Sequence, residues 1–167
     1  ALVERLDSHA LRSRYYLNLA DLRLTEGDPA AAEAMARDGL RMAALGRNVR
    51  REGRLAATMA NAFEAMGNSE RARLADRYAL DVLSRRARYE RGLSNPPWLA
   101  QRHVLPLVNA VLRDQPDKNR EAFTDAEMNR VREWAALVRE GGRDALPNQL
   151  AFHCKEVNGR PRFLVTE

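Results

Sequence analysis

A pattern of small residues recurs after forty positions and constrains the fold of this chain more than any other feature. It consists of an alanine, a glycine and a second alanine at fixed offsets, first as Ala20, Gly27 and Ala32 and again as Ala60, Gly67 and Ala72. In both copies the glycine precedes a residue that caps helices. Small residues around a turn allow two antiparallel helices to pack closely, and stacked copies of such a pair form a scaffold. The pattern therefore predicts a helical repeat with a surface that binds other proteins.

Composition agrees with a helical protein of one domain. The chain has 167 residues, of which 45% are hydrophobic, 31% charged and 6% aromatic. This balance is that of a folded chain, and abundant Ala and Leu favour helix over strand. No run of about 18 apolar residues exists, so no transmembrane helix is expected. The single Cys154 is typical of a reducing compartment and predicts a cytoplasmic location.

Four helices are expected in the first half of the chain. Helix-stopping glycines and capping residues delimit them at about 2–26, 30–45, 49–66 and from Ser69 onward. Gly46 is expected to end the second helix. Apolar residues at helical spacing predict the buried faces, among them Leu11, Leu22, Leu74 and Tyr78. The chain begins without Met and inside a helical pattern, so we expect it to be part of a larger protein.

The second half begins after a cluster of helix breakers at 92–97. A fifth helix is expected at about 98–112, with a kink at Pro106. A capping box starting at Thr124 predicts a sixth helix that ends at Gly141.

The C-terminal residues change in character. A strand-like run from Leu150 to Val157 is followed by Asn158-Gly159 and a second run, which together predict a β-hairpin. The sequence thus predicts an all-α fold with a small β-hairpin. We expect a repeat region at 1–91, packing helices at 98–141 that complete the same domain, and a hairpin tail at 148–167.

The two units, about 13–46 and 53–88, resemble the tetratricopeptide repeat family. The alignment pairs Tyr16-x-x-Leu19-Ala20 with Ala56-x-x-Met59-Ala60, followed in each copy by the turn glycine and the second small residue. Phe63 matches an aromatic position of the family, whereas Arg23 in the first unit departs from it. The period of forty residues, against 34 for the standard repeat, is similar to long-helix variants in bacterial regulators.

The resemblance implies a function and a binding site. Members of the family bind peptides or folded partners in a concave groove lined by the first helix of each unit. Carried onto this chain, the groove consists of Arg14, Leu17, Asp21, Leu24, Arg54, Asn61 and Glu64. The expected function is that of a bacterial regulatory adaptor that captures a peptide or helix. The alternative interpretation is that these residues form an ordinary solvated helix face.

Two other functions remain open at this stage. The net charge is +5, and all but two of the 28 basic residues are arginines. A basic patch of Arg47, Arg50, Arg51, Arg85 and Arg88 would fit a regulator that binds nucleic acid. Cationic residues at the end of a helix also complement its dipole, which explains part of the patch without any ligand. The second alternative is that the chain is the helical part of a larger effector or enzyme.

Catalytic and metal-binding patterns are missing from the sequence. His153 and Cys154 are adjacent, so in a strand they face opposite sides and cannot hold one ion together. No pair of His, Cys or Glu has metal-ligand spacing, and no phosphate-binding glycine loop occurs. We therefore expect no catalytic residues, no metal and no cofactor.

Overall fold

A computed structural model describes residues 8–91, 105–113 and 125–164. The first four helices are α1 (His9–Thr25), α2 (Pro29–Leu45), α3 (Val49–Ala65) and α4 (Ser69–Arg91). They are followed by α5 (Leu105–Leu112), α6 (Asp125–Gly141), a short 3₁₀ turn (Gly142–Ala145), a one-turn helix α7 (Asn148–Ala151), and the strands β1 (Cys154–Val157) and β2 (Arg160–Phe163). The predicted all-α fold with a C-terminal hairpin is confirmed.

A capping residue starts each of the first four helices, at intervals of 20 residues. In each case the side-chain oxygen accepts a hydrogen bond from the backbone N–H three positions later, and the four residues are Ser8, Asp28, Asn48 and Asn68. A cap of this kind satisfies one of the N–H groups that the first turn of a helix leaves without a partner. Each forty-residue unit of the sequence repeat therefore contains two shorter units of 20 residues, and each shorter unit is one helix with its turn.

The three turns between these helices share one geometry. Gly27 and Gly67 have φ of 81° and 76°, the left-handed conformation that glycine adopts without strain. The N–H of the next residue then bonds to a carbonyl five positions back, as from Asp28 to Arg23 at 2.9 Å. The middle turn uses Arg47, with φ of 52°, as its left-handed residue. Gly46, the residue expected to stop α2, is the C-cap with φ of −80°.

Helices α1 to α4 pack in succession, and α1 also contacts α3. The helices come close together at Gly39, where an added Cβ would lie 2.7 Å from Tyr16 Cβ and 2.8 Å from Leu55 Cδ2. The core between these helices is rich in small side chains. It consists of Leu17, Ala20, Ala36, Ala43 and Leu55. Short side chains in these positions allow the helix backbones to come together.

A larger core joins α3 and α4 to the second half of the chain. Helix α5 packs on α3, α4, α6 and β2. Apolar side chains of all these elements form one cluster, with Leu83, Leu105, Val108, Val131 and Phe163 among its members. The hairpin thus packs on the helices and gains the support that an isolated pair of strands lacks.

The hairpin pairs Cys154 with Phe163 and Val157 with Arg160. Its turn residues, Asn158 and Gly159, have φ of 54° and 73°, so the Asn-Gly prediction is confirmed. The first strand is shorter than predicted, because Leu150 belongs to α7 and the strand starts at Cys154. Leu150 packs into the large core from that helical turn.

The buried faces differ from the predicted ones in α1 and α4. Leu11, Leu22, Leu74 and Tyr78 are 52%, 49%, 54% and 41% exposed. Three alanines, Ala72, Ala75 and Ala79, are instead among the buried residues of α4. Close packing between helices selects small residues, and this leaves the larger apolar side chains on the outside.

The described part of α5 runs from Leu105 to Leu112, so the predicted kink at Pro106 in a longer helix stays a prediction. Pro106 is the second residue of this described helix and is buried. The predicted start at 98 and the capping box at Thr124 lie outside the described residues.

Candidate functional site

The structure places most of the predicted groove residues in the interior. Arg14 is exposed and Leu24 is half-buried. The other five are buried, namely Leu17, Asp21, Arg54, Asn61 and Glu64. Leu17 belongs to the core between the first four helices, and α5 and β1 both contact α3. In this structure those five side chains are therefore not presented to a partner, because neighbouring elements of the same chain enclose them.

Asp21 and Thr58 connect α1 to α3. The Thr58 hydroxyl donates to Asp21 Oδ1 at 3.1 Å, and the Oδ2 atom has no hydrogen-bond partner in the described part of the chain. Burial raises the pKa of Asp21 from 3.8 to about 7, against the opposing effects of the Thr58 hydrogen bond and the Arg54 charge. This carboxyl group consequently changes its charge near neutral pH.

Glu64 lies between two arginines from distant parts of the chain. Arg162 holds both carboxylate oxygens, with Nε to Oε2 at 2.9 Å and Nη2 to Oε1 at 2.6 Å. Arg113 adds a bond from Nη1 to Oε2 at 2.8 Å. Burial alone disfavours the charge of Glu64, but the hydrogen bonds from Arg162 and Arg113 outweigh it and lower the pKa. Glu64 is thus held as a carboxylate that ties β2 and α5 to α3.

Arg113 also binds α4 and a second residue of α3. Its Nε and Nη2 atoms donate to the two oxygens of Asp76 at 2.6 and 2.8 Å, and its Nη1 donates to Asn61 Oδ1 at 2.8 Å. Burial disfavours the guanidinium charge, but the bonds to Asp76 and Glu64 outweigh it and raise the pKa of Arg113. Such forked pairs have a defined geometry as well as charge complementarity.

Asn109 pairs with the end of β2 as a neighbouring strand would. Its Nδ2 donates to the carbonyl of Phe163 at 2.8 Å, and its Oδ1 accepts from the N–H of Phe163 at 2.8 Å. Asn61 donates to the same carbonyl at 3.1 Å. We call the buried set of Asn61, Glu64, Asp76, Asn109, Arg113 and Arg162 the polar network. It fastens the hairpin and α5 onto the side of α3 where the sequence predicted a groove.

A small pocket of about 110 Å³ opens beside the polar network. Its lining comes from the end of α3, the start of α4, the end of α5 and β2, and consists of Glu64, Ser69, Ala72, Arg73, Leu112, Arg113, Arg160 and Arg162. Arg113 and Arg162 are buried, whereas Arg73 and Arg160 are exposed. Neither Arg73 nor Arg160 has an ion-pair partner among the residues described here. The pocket is therefore strongly basic.

The residues of the predicted basic patch are used in different ways. Arg51 donates to the carbonyl of Ala10 at 2.7 Å and to Ser13 Oγ at 3.1 Å, and thereby joins α3 to α1. Arg47 and Arg85 are exposed, and Arg50 is half-buried. The start of α3 and the end of α4 lie at one end of the molecule, since Gly53 contacts Leu83. The side chain of Arg88 is outside the described part.

The polar network and the basic pocket were not predicted from the sequence. Arg113 and Asp76 are 37 positions apart, and Arg162 and Glu64 are 98 apart, so no local spacing connects them. One signal was available in α5, where Asn109 interrupts an apolar run and marks a polar side chain with a buried partner.

No helix in the described ranges is both long and apolar enough to cross a membrane. No group of three His, Cys, Asp or Glu side chains in these ranges is arranged to hold a metal ion. Comparisons of the chain with models of protein families, with curated proteins and with solved structures find no match.

Proposed function

We propose that this chain is a scaffold for protein–protein interaction that binds a peptide or an amphipathic helix, as a regulatory adaptor module does. The observation that supports the proposal best is the exposed face of α1. Leu11 and Leu22 are 52% and 49% exposed and are eleven residues apart, which is three helical turns and places them on one face. Asn18 and Arg14 are exposed between them.

The proposal differs from the sequence-based one in where the partner binds. The positions of α3 that correspond to the exposed face of α1, forty residues on, lie against α1 itself, since Arg51 donates to the carbonyl of Ala10 and Thr58 donates to Asp21. The equivalent face of α1 is exposed in the described part of the chain. The end of a helical stack normally carries a capping element or a partner, because a unit at the end has a neighbour on one side only. An apolar helix bound along α1 would cover both leucines.

Charge favours an acidic partner. The net charge of the chain is +5, and Arg14 lies between the two leucines along the exposed face. A partner helix with apolar residues three turns apart and an intervening Asp or Glu would match this surface. Charged groups at the rim of such an interface contribute more to specificity and association rate than to affinity.

An affinity capture from lysate of the source cells tests the proposal. The full chain is compared with Leu22→Ser and with Arg14→Glu, and captured proteins are quantified by mass spectrometry. We expect each variant to lose its main partner at least tenfold while circular dichroism shows unchanged helicity, because both side chains are exposed. Leu74→Ser removes a similarly exposed leucine from α4 and should leave capture unchanged. If both α1 variants retain the partners of the wild type, α1 is not the binding surface.

Binding of nucleic acid is less well supported by the same structure. The guanidinium group of Arg51 donates hydrogen bonds to a backbone carbonyl and a hydroxyl of α1. Arg51 therefore links two helices and is not part of an open cationic surface. Nucleic-acid binding through the remaining arginines would weaken steeply with salt. Binding of a generic duplex at low salt that disappears in Arg47→Ala with Arg85→Ala would favour this alternative over the scaffold.

A further inference from the structure

We propose that the basic pocket between α4, α5 and β2 binds a dianionic phosphate group, either inorganic phosphate or a phosphate monoester. This inference rests on the pocket alone and is independent of the scaffold proposal, since the pocket is formed by different residues from the exposed face of α1.

The charges around the pocket leave an excess of two. In the polar network, the carboxylates of Glu64 and Asp76 are matched by the guanidinium groups of Arg113 and Arg162. Arg73 and Arg160 remain, and neither has an acidic partner in the part of the chain that the structure describes. A dianion neutralises this excess, whereas a single carboxylate would neutralise half of it.

Hydrogen-bond donors are also available in the pocket. A guanidinium group carries five N–H donors. Arg113 directs four of them to Asp76, Asn61 and Glu64. Arg162 directs three to Glu64 and to the carbonyl of Pro161. Donors therefore remain on two side chains that the ion pairs already hold in position, and a bound anion would not need to order them.

The location of the exposed arginines is consistent with this role. Arg160 and Arg162 are two positions apart in β2, so they project from the same face of the strand. Arg73 lines the pocket one turn after Ser69, the first residue of α4. The positive end of the α4 dipole at Ser69 adds to the field of the arginines.

The size of the pocket limits what it can accept. A volume of about 110 Å³ is enough for a phosphate group, and the pocket is open to solvent on one side. Any group esterified to the phosphate would extend into solvent. Arginine favours such a ligand because its planar fork matches the oxygens of phosphate.

Isothermal titration calorimetry of the full chain with inorganic phosphate, in a buffer free of other polyvalent anions, tests the site. We expect saturable binding of one phosphate per chain. Arg73→Ala and Arg160→Ala should each weaken binding at least tenfold, and the double variant should abolish it. Both side chains are exposed, so circular dichroism should show an unchanged fold.

Two control variants separate the pocket from general surface charge. Arg77→Ala removes an exposed arginine one turn further along α4, and Lys155→Ala removes an exposed lysine from β1. Each lowers the net charge by one, as the test variants do, and each should change the affinity less than twofold. Absence of saturable binding by the wild type, or equal losses in test and control variants, would overturn the proposal.

A second titration identifies the source of the phosphate. A short peptide that contains phosphoserine is compared with inorganic phosphate and with the unphosphorylated peptide. Tighter binding of the phosphopeptide would indicate a phosphorylated protein segment as the ligand, and equal or weaker binding would indicate a small free phosphate. Binding of the unphosphorylated peptide with the affinity of the phosphorylated one would refute the phosphate site.

Discussion

Asp21 illustrates at the residue scale how enclosure changes the chemistry of a side chain. On a solvated helix face its carboxyl group would ionise near pH 4, whereas between α1 and α3 its pKa is raised to about 7 by burial. The folded state therefore holds this proton more tightly than the unfolded chain does. The stability that follows is fully present below pH 3.8 and is lost as the pH rises through about 7.

Asp21→Asn should therefore change how stability depends on pH. The free energy of unfolding of the wild type should fall between about pH 4 and pH 7 by an Asp21 contribution on the order of 2 to 4 kcal/mol. The asparagine variant keeps an oxygen for Thr58 but does not titrate, so this contribution should vanish. Urea denaturation at intervals of one pH unit measures it, with the exposed Asp144→Asn as the control. Parallel pH profiles for wild type and Asp21→Asn would refute the assignment.

At the scale of elements, close packing between helices depends on glycines, which have no side chain. Gly39 lies in the middle of α2, where glycine ordinarily weakens a helix by about 1 kcal/mol relative to alanine. It is accommodated here because Tyr16 of α1 and Leu55 of α3 occupy the space that a Cβ would take. Gly53 of α3 has more room, since an added Cβ would lie 3.4 Å from the nearest atoms of Leu83.

The two glycines should consequently respond in opposite directions to alanine. Gly39→Ala should lower the free energy of unfolding by about 1 to 3 kcal/mol, because the added methyl group forces α1 and α3 apart. Gly53→Ala makes ordinary contacts and should be neutral or stabilising by up to about 1 kcal/mol. Urea denaturation of the two variants measures the difference. A stabilised Gly39→Ala variant would show that the helices are not in close contact at this position.

At the scale of the whole molecule, the polar network joins the two halves of the chain. Arg113 contacts α3 and α4 from the end of α5, and Arg162 brings β2 to the same carboxylate. Apolar packing among these elements supplies the larger core, and the forked ion pairs link α3, α4, α5 and β2 beside it. A buried pair of this kind is costly to break on one side, since the remaining charge stays buried without its partner.

Arg113→Met should test this link. The substitution leaves Asp76 without its two donors, and the free energy of unfolding should fall by about 3 to 5 kcal/mol. Adding Asp76→Leu removes the unpaired charge and should recover part of the loss. Hydrogen exchange should accelerate more in the hairpin and α3 than in α1, which makes no hydrogen bond or ion pair with the polar network in the described ranges. A loss below about 1 kcal/mol for Arg113→Met would mean that apolar packing alone positions α5.

Some of the helices, turns and strands could be predicted from the sequence, and others could not. The helices up to α4, their glycine turns and the Asn-Gly hairpin were predicted because each depends on hydrogen bonds within a few residues. The one-turn helix at Leu150 was missed, since its residues have strand-like propensity and its position is decided by packing into the core. Arg47 was missed as a turn residue because a glycine stands immediately before it.

The predicted groove residues show what residue spacing can and cannot predict. Residue spacing placed Arg54, Asn61 and Glu64 on the first helix of the second unit, which is where they lie. Spacing does not tell whether such a face meets solvent, a partner or another part of the chain. Here α5 and β2 provide the partners of Asn61 and Glu64 from 49 to 102 positions away. The sequence determined the helices, caps and turns through local hydrogen bonds. The tertiary structure alone decided which faces are buried, because burial and ion pairing depend on segments that are distant in the chain.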